Sequence, residues 1–191
     1  MNSALGIFKI LIYIAAHMKL FIFCLRSFFL TVSVLAQNLS VNTLIKLRQM
    51  RTPSYIHQKL EGKGWKLVSV TEPTLDKQGV AVWSYESVRK SDNAWVYLYY
   101  SMTDYRQNGI EYHPNCSCKM PKLQKKIKQR KMKKLDEGER REGIDVKYKY
   151  TAYADSNYIS RLLTYPNEPN NIAIQIFDKD YYVVQENNDL L

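Results

Sequence analysis

From Trp65 the apolar residues fall into three short runs that alternate with period two, and a strand that buries one face is what that period builds. The runs are Trp65 to Thr71, Val80 to Val88 and Ala94 to Ser101, each rich in β-branched and aromatic side chains. Turn formers separate them: Glu72-Pro73 through Gly79, then Ser91-Asp92-Asn93. Short connections between such runs predict an antiparallel meander, with Ile110 to His113 as a candidate fourth strand.

Ahead of the meander the period is helical. Ser40 can cap a segment in which Val41, Leu44, Ile45, Leu47 and Met50 share one face. Thr52-Pro53 restarts the pattern, with Pro53 at the first helical position, where its missing N–H costs nothing. Tyr55, Ile56 and Leu60 give this second helix an apolar side, and Gly62 and Gly64 end it. The remainder follows a similar plan: a helix within Lys119 to Leu135, a turn region at Gly138 to Gly143, and strands near Ile144 to Ala154, Tyr158 to Tyr165 and Ile172 to Phe177. The expected fold class is therefore α+β, with two helix-plus-antiparallel-meander halves (37–115 and 116–191) and helices packed on one face of the sheet. The match between halves is one of element order, not of residues.

Residues 5–36 are almost continuously apolar and contain no Asp or Glu. Read from Met18, they hold a positive start at Lys19, an apolar core from Leu20 to Leu35 and a small-residue cleavage site at Val34-Leu35-Ala36 before Gln37. The expectation is an export signal over 1–36, preceded by an upstream extension, and a mature protein in the periplasm or outside the cell. The alternative is a retained membrane anchor, because the stretch approaches the length that a bilayer requires. Phe23 argues against lipid attachment at Cys24, where a small residue should precede the cysteine. Cleavage after Ala36 removes Lys9, Lys19 and Arg26 and no acid, lowering the formal net charge from +10 to +7. It leaves only Cys116 and Cys118, too few for a disulfide framework, so the fold must rest on apolar burial.

The basicity is concentrated. Residues 119–149 hold thirteen Lys or Arg against five acids, and so dense a cluster attracts phosphate, sulfate or anionic headgroups. Lys125, Lys126, Lys128 and Lys131 are the candidate polyanion contacts. The plainer reading is a solvated helix face, with Met120, Leu123 and Ile127 turned inward. No aromatic side chain interleaves with the cations from Lys119 to Arg141, which disfavours nucleic acid as the partner, since single-strand binders stack bases on aromatic rings.

Aromatic residues on the strands form the second candidate site. Trp83 and Tyr85 point to one side of their strand, and Trp95, Tyr97 and Tyr99 to one side of the next. Pairing of these rows would make either a structural ladder or a flat platform for a sugar or protein partner. Val80, Val82, Val96 and Leu98 are then the expected helix-facing core.

The segment His113 to Met120 gathers a histidine, two thiols and a thioether. Those ligand types suit copper(I) or zinc, but the spacing is not that of a metal knuckle, and a short Cys116–Cys118 ring or a reactive thiol pair is favoured over metal. No catalytic motif is visible. His57 lies in a helical pattern and His113 in a loop, neither beside a recognisable nucleophile, and no cofactor signature occurs.

The export signal ending Val34-Leu35-Ala36-Gln37, with Leu44-Ile45-Lys46-Leu47, the LEGKGW stretch at 60–65, the Glu72-Pro73 turn and the WVYLYYS strand at 95–101, resembles small exported Bacteroidota proteins of unknown function. That resemblance covers mainly residues 18–101 and implies a signal and a fold, with no activity, cofactor or catalytic residue. Residues 116–150 depart from it most. The repeated helix-plus-meander plan is also similar to the architecture of β-lactamase inhibitory proteins. The function expected from these readings is a noncatalytic exported or envelope binding module for a protein or polyanion. A small secreted enzyme acting on an anionic polymer and a purely structural envelope protein are the competing classes.

Overall fold

The computed structural model describes residues 38–50, 52–86, 93–142 and 146–187. The chain divides into two units, Met1–Asn38 and Leu39–Leu191, and every described helix and strand belongs to the second. The apolar leader with its cleavage site, and Ser91-Asp92 of the predicted turn, lie outside the described residues.

Two short helices open the second unit. Helix α1 (Val41–Arg48) is capped by Ser40, whose hydroxyl accepts the Thr43 N–H at 3.2 Å. Helix α2 (Pro53–Glu61) starts at Pro53, and Gly64 adopts φ +83° just beyond its end, a conformation that glycine reaches without steric cost. Val41, Leu44, Ile45 and Leu47 of α1 and Ile56 and Leu60 of α2 are buried, whereas Tyr55, expected on the apolar side, is 61% exposed.

Eight strands form one sheet in the order β1-β2-β3-β4-β8-β7-β6-β5, with every neighbouring pair antiparallel. They are β1 (Lys66–Thr71), β2 (Gly79–Tyr85), β3 (Ala94–Tyr100), β4 (Gly109–His113), β5 (Lys133–Glu142), β6 (Val146–Ala154), β7 (Tyr158–Thr164) and β8 (Ile172–Asp178). Helix α3 (Met120–Gln129) lies between β4 and β5, and α4 (Lys179–Asn187) comes after β8. The class is α+β, as the alternation of periods implies. Two elements differ from expectation. Gly138 to Glu142, read as a turn, continue β5, and α4 has no counterpart among the predicted elements. The β4–β8 ladder is short, with Ile110 opposite Ile176, Glu111 opposite Gln175 and Tyr112 opposite Ile174.

The two faces of the sheet are covered differently. On one, Ala81, Trp83, Val96, Leu98, Ile110, Tyr112, Leu162, Ile174 and Ile176 pack with the buried residues of α1 and α2 and with Leu123 and Ile127 of α3 in a single cluster. Removing each Val, Leu or Ile side chain of this cluster from water stabilises the fold by about 1.5 to 3 kcal/mol. The other face carries a smaller cluster over β6 to β8, including Tyr148, Tyr150, Leu163 and Phe177, and α4 contributes Tyr182 to it. Arg48, almost fully buried at the end of α1, ties the first cluster together. Its guanidinium donates to the Asn108 carbonyl and to Asp178 Oδ2, both at 3.0 Å, and lies over the Tyr158 ring. Burial pushes its pKa down, while the Asp178 carboxylate opposes that shift.

Candidate functional site

Register decides what the aromatic rows can do. Trp83 sits opposite Val96 and Tyr85 opposite Ala94, whereas Trp95, Tyr97 and Tyr99 sit opposite Ser84, Val82 and Val80. The predicted pairing of the rows is therefore wrong: they occupy opposite faces. Trp83 is fully buried against the helices, and Tyr85, half-buried, packs beside it with its ring 5.6 Å from that of Trp65. Trp95, Tyr97 and Tyr99, all half-buried, share the second face with Val80 and Val82, two valines expected in the helix-facing core. Period two assigns side chains to alternate sides of one strand but says nothing about which side meets the helices, and only the register settles that.

On the same second face the registers align Val82, Tyr97, Glu111, Gln175, Arg161 and Ala152 across β2, β3, β4, β8, β7 and β6. A carboxylate and a guanidinium are thus brought into one row, with Gln175 between them. Glu111 is 8% and Arg161 1% exposed, unusual burial for charged residues. Glu111 Oε1 contacts His113 Nε2, and Glu111 Oε2 accepts from Gln175 Nε2 at 2.9 Å. His113 Nδ1 lies 3.5 Å from Asn171 Oδ1. The His113 ring meets Tyr97 edge-on at 5.5 Å and stacks near Tyr165 at 6.3 Å. Arg161 lies 4.0 Å from the Tyr150 ring centre, a close cation–π contact, and reaches toward Tyr148 as well. Burial pushes the Glu111 carboxyl up, but the hydrogen bond and charge of His113, the Gln175 amide and the Arg161 charge together hold it below its ordinary value. Among the described residues, Arg161 Nε and Gln175 Oε1 are buried without a hydrogen-bond partner.

The sequence reading missed Glu111, Gln175 and Arg161. One signal was available: Glu111 and His113, two apart on a strand, must share a face. The convergence with Gln175 and Arg161 depends on the β4–β8 and β7–β8 registers.

The basic segment is split among elements. Lys122, Lys125, Lys126 and Lys128 stand exposed on α3 with no ion pair among the described residues, while Leu123 and Ile127 fill its buried side. Lys131, also exposed, lies just past the helix at φ +58°. On the hairpin β5–β6 two of the lysines are paired locally, Lys134 with Glu137 at 2.7 Å and Lys149 with Glu139 at 3.0 Å. Arg130 turns inward to Asp155 Oδ2 at 2.6 Å and Asn42 Oδ1 at 2.8 Å, which anchors the end of α3.

Cys116 and Cys118 are joined by a disulfide, one of the two alternatives favoured over metal. No group of three or more metal-binding side chains converges among the described residues. No helix among them is long and apolar enough to cross a membrane. His57 sits half-buried on α2, with Nε2 3.7 Å from Glu61. Compared with known proteins, the chain matches no family model, no curated protein and no solved structure.

Proposed function

We propose that this chain is a noncatalytic exported or cell-envelope binding module, related to small exported Bacteroidota proteins, and that the sheet face carrying Trp95, Tyr97 and Tyr99 receives its partner. In this reading the strand order reflects two helix-plus-meander halves joined through β4 and β8, with α1 to α3 covering one face and the β2–β3 part of the other open to a macromolecule. The observation that carries it is the row of three half-buried aromatic side chains beside Val80 and Val82, continuous in register with Glu111, Gln175 and Arg161. Aromatic rings supply large contact area at low entropic cost. A protein surface is the partner class that best uses such a mixture.

A specific observation favours a second surface. Among the described residues the α3 lysines lack ion pairs, whereas Lys134 and Lys149 on β5–β6 are paired, which leaves α3 a continuous positive face. One experiment separates the two. Envelope extract is passed over immobilised wild-type protein, over Trp95→Ala/Tyr97→Ala and over Lys122→Ala/Lys125→Ala/Lys126→Ala/Lys128→Ala, with heparin retention measured in parallel. A saturable partner lost only with the aromatic variant supports the sheet face. Loss only with the lysine variant, together with loss of heparin retention, supports α3. Equal binding by all three chains ends the sheet-face proposal.

A further inference from the structure

The Cys116–Cys118 bond encloses a single residue, Ser117, and closes the smallest ring that two non-adjacent cysteines can form. A crosslink over so short a loop removes little freedom from the unfolded chain. Its surroundings instead favour reaction. Cys118 is exposed, and half-buried Cys116 forms part of the wall of an open cleft of about 530 Å³. The cleft is lined by Pro114, Asn115 and Cys116 and by Glu168, Pro169 and Asn171, a groove that an extended polypeptide fits.

The two sulfurs differ electrostatically. Cys118 lies in the single turn Ser117–Lys119 that leads directly into α3. The first turn of α3 holds no acid and carries Lys122. Lys119 follows Cys118 directly in the chain, and an ammonium group near a sulfur stabilises its thiolate. The one acid in the cleft wall, Glu168, lines it together with Cys116. Cys118 is therefore the better leaving group of the pair, and exchange is faster when the departing thiol is the more acidic one.

We infer that Cys116–Cys118 is a thiol–disulfide exchange site for the paired thiols of an extended polypeptide. A substrate thiolate attacks Sγ of Cys116, forming a mixed disulfide, and Cys118 departs as a thiolate next to Lys119 in the chain. The second substrate thiolate then attacks the substrate sulfur of that mixed disulfide and releases Cys116. Two electrons pass from substrate to protein, the substrate gains one disulfide, and its two protons end on Cys116 and Cys118 or in solvent. The reaction is stoichiometric and independent of binding at the sheet face.

The test uses the full chain and a reduced peptide bearing two cysteines. Samples are quenched in acid at intervals and the adducts mapped by mass spectrometry, while tryptophan emission reports that the fold is intact. The expected result is one peptide disulfide formed per chain, a transient adduct on Cys116, and unchanged emission throughout. Lys119→Ala/Lys122→Ala, which leaves both sulfurs in place, is expected to slow the exchange by about 3- to 10-fold. A bond that survives the peptide in the folded protein, an adduct on Cys118, or an unslowed lysine variant would each overturn the assignment.

Discussion

Trp83 and Trp95 stand in adjacent strands but enter opposite faces, one fully buried and one half-buried, so their substitution separates packing from recognition. Trp83→Ala empties a fully buried site and is expected to cost about 3 to 5 kcal/mol. Trp95→Ala, on the opposite face, removes cross-strand contacts expected to be worth at most about 1 kcal/mol. Urea denaturation of both variants checks this, and equal losses would contradict the register. Glu111 makes a second residue-scale prediction. Its carboxyl titrates below the ordinary value of 4.5 in the folded chain, so the stability it contributes is fully present above that value. That contribution is lost as the pH falls through the depressed folded value. Thermal melts from neutral to acidic pH should show a steeper acid decline for wild type than for Glu111→Gln, with the variant the less stable of the two near neutrality.

At the scale of elements, two backbone positions state what the connections require. A Cβ on Gly79 would lie 2.6 Å from the Thr71 carbonyl oxygen and 2.7 Å from the Pro73 nitrogen, both backbone atoms that cannot swing aside. Gly79→Ala is therefore expected to destabilise the β1–β2 hairpin by more than about 1 kcal/mol, read from the denaturation midpoint. Lys131 poses the reverse case, a side chain in the left-handed region at the end of α3. Lys131→Gly should stabilise by about 0.5 to 1 kcal/mol in the same measurement. The strands β2 to β4, β6, β7 and β8 and the helices α1 to α3 were legible because apolar periodicity and turn chemistry agree there, whereas β1 forms as a strand but, at the sheet edge, leaves all six residues exposed instead of burying one face. Strand β5, KKLDEGERRE, was hidden because it lies at the sheet edge, where charges discourage further pairing and no apolar stripe is needed. Gly138 within it looks like a turn residue, but its bare backbone accommodates the Tyr150 ring, whose hydroxyl donates to Asp136 Oδ2 at 2.7 Å. Helix α4 was hidden for another reason: KDYYVVQEN puts its apolar residues side by side, and Val183 and Val184 are exposed while Tyr182 alone of the three is buried. The Glu111–Gln175–Arg161 row was illegible because it joins three strands whose mutual register the chain order does not state.

For the whole molecule, stability rests on the two apolar clusters rather than on the covalent crosslink. A loop as short as Cys116 to Cys118 constrains the unfolded chain by only about 1.5 kcal/mol in the entropy model. Cys116→Ser/Cys118→Ser should therefore melt within a few degrees of wild type, and a collapse of the melting temperature would show that the crosslink holds the fold. The short β4–β8 ladder has a consequence in time. Its partners, such as Tyr112 and Ile174, enter the nascent chain far apart, separated by about 3 to 12 seconds at a ribosomal rate of 5–20 residues per second. Until β8 emerges, β4 is a bare edge, so a chaperone or a delay in compaction has its natural target in the middle of the finished sheet.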